Sequence, residues 1–181
     1  MKKLIAGLAS ATLLMSMGAA FAQEKSKICF LYVGSKTDGG WTQAHELGRT
    51  ELEKALGDKI ETQFVENVPE GPDAERAIER FARSGCKLVF TTSFGFMDPT
   101  IKIAEKFPDV KFEHATGYKS APNVATYNSR FYEGRYIQGK IAGKMSAKGT
   151  AGYIASFPIP EVVQGINSFL LGAQSVNPDF K

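Results

Sequence analysis

The uninterrupted apolar run Ile28-Cys29-Phe30-Leu31-Tyr32-Val33-Gly34, a short polar bend and then Asp38-Gly39-Gly40-Trp41-Thr42 constrain this chain more than any other stretch. Such a run reads as a strand covered on both faces, the kind found in parallel sheets flanked by helices. The glycines let the chain turn sharply and open a helix. In open α/β sheets ligands sit outside the carboxyl ends of strands. Asp38 and Trp41 fall at such an exit, where a carboxylate beside a large aromatic can grip a small flat ligand.

The remainder alternates strand and helix. Spacing predicts a helix over 41–56 with Ala44, Leu47, Leu52 and Ala55 on one stripe, ended by Gly57. A strand over 60–66 has polar residues interleaved, as an edge strand would. The turn Asn67 to Pro72 leads into a helix carrying Ala74, Ala77, Ile78, Phe81 and Ala82, and 87–92 is a third strand. Asp98 and Pro99 read as N-cap and first-turn proline of a helix ending near Phe107. Strands over 110–115 (alternating like an exposed one) and 124–127, a helix over 131–145, a sixth strand over 150–156 and a helix over 158–175 complete the pattern. The fold class is α/β, a doubly wound parallel sheet.

Lys2 and Lys3, an apolar run from Leu4 to Met17 and the ending Ala20-Phe21-Ala22 have the form of a secretory signal peptide, 1–22. The apolar run is too short to span a bilayer comfortably. With no cysteine near the cleavage point, a lipid anchor there is not expected. Over the full sequence, 43% apolar and 23% charged composition is that of an ordinary globular chain. Removing two lysines from the +3 total leaves about +1, too balanced for nucleic acid or an acidic membrane as partner. The mature chain is expected in the periplasm. Cys29 and Cys86 each open a predicted strand; neighbouring strands permit a disulfide but do not require one, and two buried thiols are the alternative.

Several motifs come to nothing. Gly134 to Lys140 has the spacing of a phosphate loop, but Ile141 replaces the required Ser or Thr and the stretch lies within a helix. His45-Glu46 opens like a zinc protease motif, yet position 49 is arginine. No Gly-x-Ser-x-Gly elbow occurs, and two histidines supply a catalytic triad poorly. No cofactor or metal is expected, and no enzyme activity. His114 reads first as a hydrogen-bonded structural histidine, Glu133 as a helix-dipole partner, and Phe107 and Phe112 as core. Asp38, Trp41, Ser93, Phe94 and Phe96 all follow the ends of the two central strands. Of these, Phe96 reads as core. Trp41 and Phe94 read as stacking surfaces, and Asp38 as an acceptor for two N–H groups of a heterocycle, an N-cap role being compatible.

The motifs Asp38-Gly-Gly-Trp-Thr-Gln43, Phe90-Thr-Thr-Ser-Phe-Gly-Phe96, Phe107-Pro-Asp-Val-Lys-Phe-Glu-His-Ala-Thr-Gly117 and Phe157-Pro-Ile-Pro-Glu-Val162 resemble the basic membrane protein (BMP) family. Its members are extracytoplasmic solute-binding proteins of ABC importers, among them purine nucleoside receptors. The resemblance implies a type I periplasmic-binding-protein fold, two α/β lobes closing on a ligand. Asp38 matches the family's purine-contacting acid, Trp41 its usual Phe, and Thr42 a frequent Asn. Where many members carry a ribose-binding aspartate, this chain has His114-Ala115-Thr116-Gly117, which points toward a free nucleobase such as adenine. Phe157 would face the cleft from the far side.

On this reading 23–128 is the first lobe, 129–147 a crossover helix, and 148–181 the beginning of an incomplete second lobe. The partners implied are a small purine-like ligand and the membrane permease and ATPase of an importer. Alternatives are a receptor for another solute such as riboflavin or a sugar, a sensory receptor subunit, and an exported flavodoxin-like enzyme.

Overall fold

The computed structural model describes residues 24–181; the expected signal peptide lies outside the described residues. Five strands, β1 (Ser26–Leu31), β2 (Ile60–Val65), β3 (Leu88–Thr91), β4 (Lys111–Ala115) and β5 (Val124–Tyr127), form one sheet in the order β2-β1-β3-β4-β5. Every pairing is parallel, with Phe30 opposite both Phe64 and Phe90. Helices α1 (Trp41–Leu56), α2 (Pro72–Arg83), α3 (Met97–Lys106), α4 (Phe131–Met145) and α5 (Pro160–Gln174) follow β1, β2, β3, β5 and α4 in turn.

Period-two alternation in β1 feeds two cores. Cys29 and Leu31 pack with Ala77, Ile78, Phe81, Ile103 and Phe112 on the α2 and α3 side. Ile28, Phe30 and Tyr32 pack with Leu52, Phe64 and Phe90 on the α1 side. There Phe30 and Phe90 stack at 4.7 Å between centroids. The Tyr32 hydroxyl donates to Glu46 Oε2 at 3.0 Å, and Arg49 forks onto both Glu46 oxygens at 2.7 and 2.8 Å. Arg49 also reaches Thr62, so a paired, buried cation clips α1 to edge strand β2.

Cys29 and Cys86 are joined by a disulfide across a Cα separation of 6.0 Å. It ties β1 to the turn before β3, below the strand exits. The sequence separation of 57 closes a long loop in the unfolded chain, a constraint worth about 2–4 kcal/mol.

Three expectations are corrected. Residues 150–156 form no strand; with no neighbouring strand beside them their backbone groups have no ladder to join. Only Ala151 takes part in a short exchange with the chain end, its N–H donating to the Lys181 carbonyl at 3.0 Å. Asp98 does not cap α3, which begins at Met97 after a 3-10 turn over Phe94–Phe96; Asp98 pairs with Lys119 instead, at 2.7 Å. Strand β4 is interior rather than exposed, lying between β3 and β5.

His114 on β4 is 1% exposed, and its Nδ1 lies 2.9 Å from Thr91 Oγ1, which Thr100 also contacts at 2.9 Å. It borders none of the cavities described below and is a structural histidine. Burial pushes its imidazole down to about 4.

Helices α4 and α5 touch backbone to backbone. A Cβ on Gly139 would stand 1.9 Å from the Phe169 carbonyl, and one on Gly172 2.0 Å from the Tyr136 carbonyl. Gly134, on the same helix α4, faces open space.

Gly139→Ala is therefore expected to destabilise the chain by about 1–3 kcal/mol. Gly134→Ala should gain up to about 1 kcal/mol, both read by urea unfolding. For His114, the unfolded imidazole binds a proton near 6.5 and the folded one only near about 4. Its contribution is thus complete above pH 6.5 and lost as pH falls toward 4, at most about 3 kcal/mol. His114→Gln should flatten that part of the stability–pH curve; an unchanged slope contradicts the assignment.

Candidate functional site

The strand order reverses between β1 and β3: the chain steps outward to β2, then back across β1 to β3. That reversal opens a crevice at the carboxyl ends of these two strands. Around it Asp38, Trp41, Thr42, Ser93, Phe94 and Phe157, the six positions singled out from sequence, all line one cavity of about 380 Å³. Its size falls within the range of small-molecule sites.

Asp38 is an exposed carboxylate held by the start of α1. Its Oδ1 accepts the N–H of Gly40 at 2.8 Å and of Gln43 at 3.0 Å, and its Oδ2 accepts that of Thr42 at 2.9 Å. Desolvation works to raise its pKa, but these backbone donors outweigh it and bring the carboxyl down to about 2. A carboxylate offers roughly four lone-pair directions, so one on Oδ2 stays open rather than the two expected from sequence. The cap and the open acceptor coexist in one side chain.

Trp41 is anchored by its own polar edge: Nε1 donates to the Thr92 carbonyl at 2.6 Å, joining the first residue of α1 to the exit of β3. His45 meets the indole edge-on at 4.9 Å, and Phe131 tilts against it at 6.1 Å. Burial pushes the His45 imidazole down. Thr42, next along, is fully buried, and its Oγ1 has no partner among the described residues. Gly34 leaves a notch beside it. The point its Cβ would occupy lies 3.1 Å from Thr42 Oγ1 and 3.6 Å from Asp38 Oδ2.

On the β3 side, Ser93 Oγ donates to Glu70 Oε1 at 2.6 Å and the Gly95 N–H reaches the same oxygen at 3.1 Å. Glu70 thereby fixes the turn that presents Phe94. A Cβ on Gly95 would fall 2.1 Å from the Glu70 carboxyl carbon, so a side chain there would push the Glu70 carboxylate aside. Phe96 is fully buried, a core residue. The far wall comes from the segment entering α5: Phe157, 64% exposed, with Ile159, Glu161 and Val162. Burial pushes the Glu161 carboxyl up.

Sequence reasoning passed over Gly34, Glu70 and Glu161. Glu70 follows the exit of β2, so the strand-exit rule that found Asp38 was available for it. Glu161 stood within the Phe157–Val162 motif and in the first turn of a helix but was not singled out as a site residue. A second cavity of about 520 Å³ lies beyond Trp41, with His45, Tyr127 and Arg135 in its lining. Glu133 lies apart from the main cavity and pairs with Arg130 at 3.1 Å. Among the described residues no group of three or more His, Cys, Asp or Glu is placed to hold a metal. Nor is any described helix long and apolar enough to cross a membrane.

Known proteins are similar to this chain in sequence and fold. The chain is 70% identical over 164 residues to a purine-binding protein of Brucella abortus, covering 91% of this chain and 47% of that one. It is 41% identical over 156 residues to a protein of Haloferax volcanii whose name proposes an ABC transporter glucose-binding role, covering 86% and 39%. The chain thus spans about half the length, or less, of these curated relatives. Among solved structures, a solute-binding protein from Aeropyrum pernix aligns with TM-score 0.73 at 24% identity, over 84% of this chain and 44% of that one. Another from Conexibacter woesei aligns with TM-score 0.64 at 24% identity, over 86% and 52%. At that identity they speak for the fold alone, a periplasmic-binding-protein architecture. The model of the Bmp family, described as ABC transporter substrate-binding protein PnrA-like, matches residues 25–181, and the chain belongs to that family.

Proposed function

We propose that this chain supplies one wall, and the start of the other, of a purine-binding cleft in a receptor that feeds an ABC importer. The observation carrying this reading is the convergence on one cavity of an anchored indole, Trp41, a second aromatic, Phe94, and an open carboxylate lone pair, on Asp38. A flat heterocycle stacks on the first two and donates an N–H to the third. The purine-binding relative at 70% identity supports the same choice. After the fourth strand this chain has His114-Ala115-Thr116-Gly117 and no aspartate, which favours a free base such as adenine.

Residues 23–128 act as the first lobe, 129–147 as the crossover and 148–181 as the opening of a second lobe. Hinge closure of the lobes over the ligand is the state a membrane permease, driven by its ATPase, would recognise. The protein does no chemistry on its ligand, and it works outside the cytoplasmic membrane, in the periplasm. The name of the Haloferax relative favours a sugar as second reading.

In the whole protein, Trp41→Ala should weaken adenine binding about 10- to 100-fold by calorimetry, the worth of one stacked base. Asp38→Ala should weaken binding and also lower unfolding stability by about 1 kcal/mol, through loss of the cap. Unchanged affinity in both variants, or tighter binding of glucose than of adenine, contradicts the reading. Residues 25–181 alone should bind adenine far more weakly than the whole protein, because half a cleft leaves most of the ligand in water.

A further inference from the structure

Thr116, just past the end of β4, carries two anomalies. Its backbone sits at φ 65°, in the left-handed region, where a β-branched residue is a rare outlier. Its side chain is 8% exposed, yet Oγ1 has no hydrogen-bond partner among the described residues. Buried polar atoms are seldom left so, and backbone strain of this kind gathers at clamps and switches. The surroundings hold the conformation in place. The Thr116 N–H donates to the Tyr127 carbonyl on neighbouring β5 at 2.8 Å. Gly117 lies against the His114 ring, where a Cβ would stand 2.1 Å from Cδ2, and the Tyr118 N–H reaches Met97 Sδ at 3.4 Å. Thr116 is thus a fixed point at the carboxyl edge of the sheet.

The start of α5 stands opposite. A cavity of about 950 Å³ has Thr116, Gly117 and Tyr118 in its lining from the sheet, and Pro160, Glu161 and Val163 from the helix. Glu161 is half-buried in the first turn of α5. Burial pushes its carboxyl up, and the group that opposes burial is the Thr116 hydroxyl. A donor and an acceptor therefore face each other from two separate segments, and no completed hydrogen bond joins them.

We propose that Thr116 and Glu161 form a clasp: when the segment leading into α5 moves in over a bound ligand, the Thr116 hydroxyl donates to the Glu161 carboxylate and holds the cavity shut. The proposal rests on the reading of a cleft that closes on a purine, and it names the pair that keeps the cleft closed. A hydroxyl donating to a carboxylate makes one of the stronger hydrogen bonds, and here it satisfies a group that is otherwise buried without a partner. A bond made only in the closed state stabilises that state alone. It prolongs the stay of the ligand without hastening its arrival. Thr116 acts through Glu161 and is a positioning residue; the strain at its backbone is the cost of aiming the hydroxyl away from its own strand.

Stopped-flow and calorimetric measurements of adenine binding to the whole protein test this, with small-angle scattering to follow compaction. Thr116→Val keeps the shape and the backbone but removes the donor. It should speed adenine release about 10-fold and leave the association rate within about threefold. Thr116→Ser, which keeps the hydroxyl, should release adenine within about threefold of the original rate. Because the hydroxyl is unpaired before closure, Thr116→Val should not lower the melting temperature of the ligand-free protein, as loss of a bond that supports the fold would. Glu161 also lines the main cavity, so the pair is read from a double-mutant cycle. With Thr116→Val present, Glu161→Gln should weaken binding at least about 5-fold less than it does alone. An unchanged release rate or a lowered melting temperature in Thr116→Val, or losses that combine independently in the cycle, would overturn the clasp and leave the purine reading intact. A whole protein that neither binds adenine nor compacts in its presence would overturn the purine reading and the clasp with it.

Discussion

The hydrogen bond from Trp41 Nε1 to the Thr92 carbonyl, 2.6 Å long, is the contact on which the site depends. It spans the gap between the exits of β1 and β3, the two strands flanking the point where the sheet order reverses. A parallel sheet of this kind opens a crevice there, but the crevice has no chemistry until side chains are fixed across it. By satisfying its only polar atom on the neighbouring strand, the indole is held at one orientation and keeps a flat surface for contact. The same bond ties the first residue of α1, next to Thr42 and the turn held by Asp38, to the exit of β3.

Asp38 shows how one side chain serves both the fold and the cavity. Three backbone donors draw its carboxyl well below the usual range and keep it ionised at any physiological pH. They also leave a single open acceptor direction, so its contribution to a ligand is narrow and directional. Glu70 has a parallel place on the other side, where it fixes the turn of Ser93 and Gly95 that carries Phe94. Two of the cavity's acceptors, Asp38 and Glu70, are therefore structural first.

The alternation of apolar strands with amphipathic helices was legible in the sequence because burial on two faces imposes it locally. The run from Ile28 to Val33 and the spacing of Ala74, Ala77, Ile78 and Phe81 each reflect one element meeting the sheet. The exits of β1 and β3 followed from the same logic, and with them the grouping of Asp38, Trp41, Ser93 and Phe94. Residues 150–156 misled because their β-like pattern is a statement about what they can pair with, and no strand stands beside them. Asp98 looked like a cap because sequence does not say that a 3-10 turn will carry the chain into α3 two residues earlier. Glu161 and the notch at Gly34 were illegible for a different reason: both depend on contacts between segments far apart in the chain.

A crystal structure of the whole protein with adenine bound is the most direct test of the claim that these strand exits hold a planar guest. The account predicts the purine ring against the face of Trp41, with an N–H group within hydrogen-bonding distance of Asp38 Oδ2 and Thr42 Oγ1. Adenine found away from the exits of β1 and β3, or lying there with its ring edge toward the indole and no contact to Asp38, would contradict it.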